Sequence, residues 1–96
     1  MELMQIANKL KEIKPNLKSE FGIKRIGIFG SFAKGLQHNQ SDIDIIVEFE
    51  NPIGLIEFIK IQEYLSAVLD KSVDLLTFDS IKPYMRDDIL KEVKYV

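Results

Sequence analysis

The sequence predicts an α/β fold of the α+β type, in which helices flank a small mixed sheet of three or more strands. Two observations support this fold class. Apolar residues recur at helical spacing in several segments, whereas three short segments have the β-branched content or the alternation of strands. Glycine and proline separate most of these segments. The predicted order is helix, helix, strand, helical turn, strand, helix, strand and helix.

The N-terminal region is predicted to form two helices. A helix over residues 2–13 is indicated by apolar residues three or four positions apart, namely Leu3, Ile6, Ala7, Leu10 and Ile13. Pro15 is expected to end this helix and to begin a short second one, because proline favours the first helical position. Gly22 is placed to end the second helix in the left-handed conformation.

Two strands follow, separated by a polar loop. Residues 23–29 have the β-branched content of a strand that ends at Gly30-Ser31. Residues 31–35 are expected to form one helical turn closed by Gly35, and residues 37–41 a loop. The next strand runs from Asp42 to Phe49 and alternates between two faces. One face carries Ile43, Ile45, Val47 and Phe49, and the other carries Asp42, Asp44, Ile46 and Glu48.

The C-terminal half is predicted to contain a helix, a strand and a final helix. Residues 54–69 have the length and composition of a helix, and Val73 to Thr77 form the third strand. Asp79 or Ser80 is expected to cap the last helix, with Pro83 in its first turn.

The helix over residues 54–69 is predicted to turn one apolar face to the core. On a helical wheel that face contains Leu55, Phe58, Ile59, Ile61, Leu65, Val68 and Leu69. Ile56 and Tyr64 fall on the opposite, polar side. They are either isolated exposed apolar residues, which are common, or anchors for a protein partner.

Length and composition predict a single domain over residues 1–96, near the lower end of domain sizes. The chain has no cysteine, which excludes disulfides and cysteine-based zinc sites. A net charge of −2 argues against nucleic acid as a direct partner. We see neither a secretory signal nor an apolar stretch long enough to span a membrane, so we expect a cytoplasmic protein.

Three aspartates are candidates for a metal centre. Asp42 and Asp44 are two positions apart on a predicted strand, so their carboxylates project from one face and raise each other's pKa unless a cation neutralises them. Asp74 lies within an apolar strand, where a charge is costly unless it is paired or bound to metal. If the two strands are neighbours, three carboxylates converge, as two-metal phosphoryl transfer requires. The alternative is that Asp42 and Asp44 are solvated residues of an edge strand.

The turn at Gly30-Ser31 is a candidate phosphate-binding site. Glycine lets the backbone approach a phosphate closely, and the Ser31 hydroxyl and nearby amides can donate to its oxygens. Lys34 lies three residues further on and can reach a phosphate as a point charge. Taken alone, a strand followed by Gly-Ser is more typical of an ordinary turn.

Together these residues resemble a known family. Gly30-Ser31, ten further residues and then Asp42-Ile43-Asp44 match the signature of the DNA polymerase β-like nucleotidyltransferase superfamily. The longer string from Phe29 to Gly35, with Ser41 before the two aspartates, is similar to its minimal nucleotidyltransferase branch. That branch often carries arginine where this chain has Lys34, and an amine makes weaker bidentate contact with phosphate.

The resemblance implies a Mg²⁺-dependent transfer of AMP from ATP to a hydroxyl group. By this resemblance, Asp42 and Asp44 would bind two Mg²⁺ ions. Asp74 would bind the catalytic ion and help to deprotonate the acceptor, while Gly30 and Ser31 would hold the β- and γ-phosphates.

The acceptor has three alternative interpretations. Minimal members of this family are similar to the antitoxins that adenylylate a tyrosine of HEPN-domain ribonuclease toxins, and this partner is the one we favour. A small-molecule acceptor, as in the aminoglycoside nucleotidyltransferases, would need a further helical domain that this sequence lacks. A binding module that masks its partner without chemistry is the third. The sequence is also compatible with a homo-oligomer.

Three other polar residues are left outside the predicted site. His38 lies in a polar loop, Arg25 precedes the end of its strand by several residues, and Glu48 lies roughly 13 Å beyond Asp44 at strand rise.

Overall fold

The computed structural model describes residues 2–96 and has a four-stranded mixed sheet with helices on both faces. The predicted fold class is therefore confirmed. The helices and strands are α1 (Leu3–Phe21), β1 (Ile23–Phe29), α2 (Gly30–Lys34), β2 (Ile43–Phe49), α3 (Leu55–Leu69), β3 (Val73–Thr77), α4 (Pro83–Glu92) and β4 (Lys94–Tyr95).

The sheet has the strand order β3-β2-β1-β4. β1 is antiparallel to both β2 and β4, whereas β2 and β3 are parallel and joined through α3. A crossover helix of this kind is the usual connection between neighbouring parallel strands. Because β1 ends where β2 begins, and β3 begins beside the start of β2, the end of β1 and the starts of β2 and β3 meet at one end of the sheet.

The main core lies between one face of the sheet and the helices α1 and α3. Both helices bury one stripe of aliphatic residues there. The fully buried members of this core include Ile6, Leu10, Leu17, Ile26, Ile28, Ile43, Ile45, Ile61, Leu65 and Leu69.

A second, smaller core covers part of the opposite face. Its buried members are Phe29, Ile46, Ile81 and Val93, and Ile89 and Leu90 of α4 pack against them. Ile46 therefore belongs to the same strand face as Asp44, as the alternation predicted, but it is fully buried. The helix α4 thus covers this face only in part and leaves the aspartate end of the strands more open.

The first two predicted helices are one. α1 continues through Pro15 to Phe21, so the expected break is wrong. Proline removes one hydrogen bond inside a helix, but Leu10 and Leu17 on either side of it are both fully buried in the main core, and tertiary packing outweighs that local cost. The end at Gly22 is confirmed, with φ of 67° and its N–H donating to the Leu17 and Lys18 carbonyls.

The region before the last helix also differs from the prediction. Residues Phe78–Ser80 form a short 3₁₀ helix, and α4 begins at Pro83 with Lys82 as its N-cap. Ser80 caps Thr77 instead, because its Oγ accepts the Thr77 N–H at 3.3 Å and donates to the Thr77 carbonyl at 2.8 Å. The expectation that Asp79 or Ser80 caps the final helix is therefore wrong.

The orientation of α3 was predicted only in part. Ile61, Leu65 and Leu69 are buried, and Ile56 is exposed as expected. Leu55 and Ile59, however, are 73% and 43% exposed, so they do not face the core. Tyr64 is half-buried against the Phe21 ring, with centroids 5.6 Å apart, and does not lie on an exposed face.

No helix within the described residues is long and apolar enough to span a membrane.

The contact between Gly27 and the end of the chain generates a prediction about stability. A Cβ at Gly27 would collide with Cγ1 of Val93 and lie 3.4 Å from the Lys94 carbonyl oxygen. We expect Gly27→Ala to lower the free energy of unfolding by about 1–3 kcal/mol, because β4 must move away from β1. Alanine normally favours a strand over glycine, so the sign of the change is diagnostic.

Chemical denaturation measures this change. Gly54→Ser is the matched control, since nothing in the described part of the chain lies within 4 Å of a Cβ at Gly54. An unchanged denaturation midpoint for Gly27→Ala would show that β4 is not packed as described.

Candidate active site

Asp44 and Asp74 lie side by side on neighbouring parallel strands. They are register partners in the pairing of β2 with β3, so their Cα atoms are separated by roughly one strand spacing, about 4.8 Å. Their side chains share the sheet face that α1 and α3 do not cover, because Ile43, Ile45, Val73 and Leu75 occupy the main core. The predicted convergence of these two carboxylates is present in the structure.

Asp42 lies immediately before β2, which begins at Ile43. The predicted strand was therefore one residue too long at this end, and the Asp42 side chain is exposed. The loop that leads to Asp42 is held by Ser41, which is buried and whose Oγ accepts the His38 N–H at 2.9 Å. Ser41 thus fixes the approach to β2.

Electrostatics distinguish Asp44 from the other acids. Burial, together with the negative charges of Asp74 and Asp42, raises the pKa of Asp44 from its ordinary value of 3.8 to about 6. A half-buried carboxylate flanked by two others favours either a proton or a bound cation. The chemistry of this donor set fits a hard divalent ion such as Mg²⁺.

The three carboxylates are near one another but are not arranged around a common point. Among residues 2–96, no three acidic or histidine side chains are spaced to hold a metal ion as they stand. Asp44 nevertheless experiences the charges of both Asp42 and Asp74. Side-chain rotation of the exposed Asp42 and Asp74 would therefore be required to close such a site around a cation.

Gly30 brings the predicted phosphate-binding turn against these carboxylates. Phe29, the last residue of β1, is the register partner of Asp44, and Gly30 follows it with φ of 72°. A Cβ at Gly30 would collide with Oδ2 of Asp44 and lie 2.9 Å from its Cγ. Only glycine fits both the left-handed backbone and this close approach. Ser31 follows directly and is half-buried.

The helical turn after Gly30 is confirmed. α2 spans Gly30–Lys34 and ends at Gly35, which has φ of 73° and whose N–H donates to the Phe32 carbonyl at 3.4 Å. Lys34 lies at the end of this turn and forms an ion pair with Glu92 of α4, with Nζ and Oε1 3.0 Å apart. Both side chains are partly exposed, so the pair is accessible to exchange with an anion.

Arg25 and Glu48 lie further along the same sheet face and are engaged with each other. Arg25 Nε donates to Glu48 Oε1 at 2.8 Å. The guanidinium also lies 4.6 Å from the Phe78 ring centre and 5.6 Å from that of Tyr95. These contacts join β1, β2 and β4 at the end of the sheet away from the aspartates, which supports leaving both residues out of the site.

A groove in the structure is also separate from the aspartates. It has a volume of about 700 Å³ and lies at the other end of β2 and β3, between the start of α3 and the 3₁₀ helix. Its lining includes Phe49, Phe58, Leu76, Phe78 and Asp79. Glu48, the lining residue that shares a strand face with Asp44, is roughly 13 Å from it along the strand.

The close approach of Gly30 to Asp44 generates a testable difference between two glycines. Gly30 and Gly35 have φ values of 72° and 73°, but no atom of residues 2–96 lies within 4 Å of a Cβ at Gly35. Substitution by alanine should lower the free energy of unfolding by about 1–2 kcal/mol at either position, since both require the left-handed backbone. Only Gly30→Ala should displace Asp44.

An NMR titration of the Asp44 carboxyl measures this displacement. We expect the titration midpoint to change in Gly30→Ala and to stay at the wild-type value in Gly35→Ala. The same midpoint in all three proteins would show that Gly30 does not contact Asp44.

The raised pKa of Asp44 predicts how stability depends on pH. The folded state binds this proton more tightly than the unfolded state, so the contribution of Asp44 is favourable at low pH and is lost as pH rises from about 4 through 6. In a chelator, Asp44→Asn should therefore be more stable than wild type at pH 7.5 by about 1 kcal/mol, a value reduced for partial exposure to solvent.

That advantage should vanish near pH 4, where wild-type Asp44 is protonated in the folded state. Urea unfolding of wild type and of Asp44→Asn at pH 7.5 and near pH 4 measures this difference in stability. A difference in stability that is the same at both would contradict the raised pKa.

Comparisons with known proteins identify the family of this chain. A family model for the nucleotidyltransferase domain matches residues 10–96. The protein adenylyltransferase MntA of Thermococcus cleftensis is 40% identical over 96 residues, which cover 100% of this chain and 97% of that protein.

Two solved structures share the fold. A structure assigned to the minimal nucleotidyltransferases superposes with a TM-score of 0.82 at 26% identity and covers 98% of this chain and 95% of its own. A chain from the complex of the tri-AMPylated Shewanella oneidensis HEPN toxin with MNT antitoxin has a TM-score of 0.67 at 25% identity, with coverage of 95% and 70%. The chain therefore belongs to the nucleotidyltransferase family, and it is similar to the minimal nucleotidyltransferases.

Proposed function

We propose that this protein transfers AMP from ATP to a tyrosine hydroxyl of a partner HEPN ribonuclease toxin, and thereby acts as the antitoxin of that toxin. The observation that carries the proposal is the pairing of Asp44 with Asp74 on adjacent strands, directly against the Gly30 turn. Carboxylates beside a backbone turn that can approach a triphosphate are the parts that nucleotidyl transfer needs.

The aspartates and the residues of the Gly30 turn have different roles in this reaction. Asp42 and Asp44 would hold two Mg²⁺ ions, and Asp74 would hold the one nearer the acceptor. The bound ions would supply charge neutralisation of the phosphates and activation of the acceptor oxygen. Gly30 admits the triphosphate close to the backbone, the Ser31 hydroxyl donates to its β- and γ-oxygens, and Lys34 exchanges Glu92 for a phosphate oxygen.

The transfer replaces one bond to the α-phosphorus with another and needs no further reactant. The acceptor oxygen forms a bond to the α-phosphorus, and the bond from that phosphorus to the bridging oxygen of pyrophosphate breaks. Asp74 accepts the proton of the acceptor hydroxyl and passes it to solvent. The partner retains AMP, and pyrophosphate is the leaving group.

A protein acceptor is supported by two comparisons. The Thermococcus cleftensis relative is named a protein adenylyltransferase, and the Shewanella oneidensis complex contains an AMPylated HEPN toxin. A protein partner of this kind would supply the acceptor hydroxyl.

Loss of the carboxylates generates the central prediction. Asp42→Asn/Asp44→Asn should reduce AMP transfer to the co-purified HEPN partner by about two orders of magnitude or more, because the metal ligands are lost while the fold stays intact. Intact-mass spectrometry of the partner after incubation with Mg²⁺ and ATP measures the transfer. Addition of EDTA to wild type should have the same effect, and Glu48→Gln serves as the matched acidic control.

The alternatives give different outcomes in the same experiment. A masking antitoxin would leave the partner's mass unchanged and would block its ribonuclease activity only at equal stoichiometry. A small-molecule enzyme would modify an aminoglycoside and not the partner. Full AMP transfer by the double variant would overturn the assignment of the site.

A further inference from the structure

β3 is an edge strand whose outward amides are all bonded to side chains. In the sheet order it has only β2 as a neighbour, so alternate N–H groups point away from the sheet. Those of Val73, Leu75 and Thr77 donate to Ser66 Oγ at 3.1 Å, Gln62 Oε1 at 3.1 Å and Ser80 Oγ at 3.3 Å. An edge strand normally leaves such groups to solvent, whereas here each of the three donates to a side chain.

Two of the three bonds come from one face of α3. Gln62 and Ser66 are four residues apart on the helix, a rise of roughly 6 Å. The amides of Leu75 and Val73 are two residues apart on the strand, roughly 6.6 Å. Because α3 and β3 run in opposite directions in the crossover, the two spacings coincide and each side chain meets one amide. Both side chains are half-buried, so these bonds are partly shielded from water.

The two amides bonded to α3 flank Asp74 in sequence. The strand on either side of Asp74 is therefore held by α3 from outside and by β2 from inside. Asp74 itself is exposed, and its charge repels that of Asp44 on the neighbouring strand. With a single neighbouring strand, β3 would yield to that repulsion more easily than a central strand.

We propose that Gln62 and Ser66 are positioning residues, which hold the backbone of β3 through Leu75 and Val73 so that Asp74 stays level with Asp44. The inference rests on the proposed function for its catalytic consequence. Ser80 makes the same kind of bond to the same strand, but at Thr77, three residues beyond Asp74. It therefore has no part in positioning the carboxylate, although the bond that it contributes to the fold is similar.

This difference gives a matched set of variants. Gln62→Leu and Ser66→Ala each remove one acceptor beside Asp74, and Ser80→Ala removes one acceptor away from it. Ser66→Thr and Gln62→Glu retain an oxygen in the same place. We expect similar small shifts in the denaturation midpoint for all three removals, because each loses one hydrogen bond.

Steady-state transfer of AMP separates the variants. Gln62→Leu and Ser66→Ala should lower kcat about tenfold each, with the KM for ATP within about twofold of wild type, because misplacement of Asp74 affects the reacting atoms more than it affects nucleotide binding. Ser66→Thr and Gln62→Glu should restore most of kcat, and Ser80→Ala should keep the wild-type value. Wild-type kcat in both removals, or an equal loss in Ser80→Ala, overturns the inference.

A readout independent of the reaction distinguishes this inference from the proposed function. Mn²⁺ serves as the probe, and its affinity for the protein without nucleotide is measured by paramagnetic resonance, together with the amide exchange rate of Asp74. Affinity should fall and exchange should accelerate in Gln62→Leu and Ser66→Ala, and neither should change in Ser80→Ala. Unchanged values in all variants overturn the positioning role even if AMP transfer by wild type is confirmed. Absence of AMP transfer by wild type overturns only the proposed function.

Discussion

Repulsion between two carboxylates on paired strands is the constraint around which this end of the molecule is organised. Asp44 and Asp74 are held level by the parallel register of β2 with β3, and burial adds to the cost of charging Asp44. Strands that carry such a pair must be anchored elsewhere. The aliphatic residues on their opposite faces supply that anchorage in the core beneath α1 and α3, and Gly30 completes the site by leaving no side chain between the turn and Asp44.

The sheet face that carries the aspartates is divided along its length. At one end it is open and acidic. In the middle Ile46 is buried beneath the second core, and at the far end Arg25 neutralises Glu48 and lies against Phe78. The same strand face therefore contains an unneutralised acid at Asp44 and a neutralised one at Glu48, four residues apart. Proximity of an arginine decides which of these acids is left to attract a cation.

Much of the fold and the juxtaposition of the candidate site residues were predictable, because they depend on local patterns. The alternation of side chains along the strand predicted the two faces of β2. Gly30 could be placed at the end of β1, and Asp74 near the start of β3. Several of the failures involve contacts distant in sequence. Pro15 stays helical because core residues on both sides of it pack together, Tyr64 is withdrawn from solvent by Phe21, and the two-residue β4 exists only through its pairing with β1. A helical wheel has no means of showing such partners.

Ser66, Gln62 and Ser80 also affect how the molecule meets other chains. An edge strand with free amides is a template on which another strand can add, and this is a common route to aggregation. Here the three outward amides of β3 already have acceptors at 3.1, 3.1 and 3.3 Å, so an incoming strand would have to displace them. Proteins often protect such an edge with a charge, a proline or a bulge. In this chain side chains of the crossover helix and of the 3₁₀ helix protect it together, and lengthening of the sheet by a neighbouring molecule is disfavoured on that side.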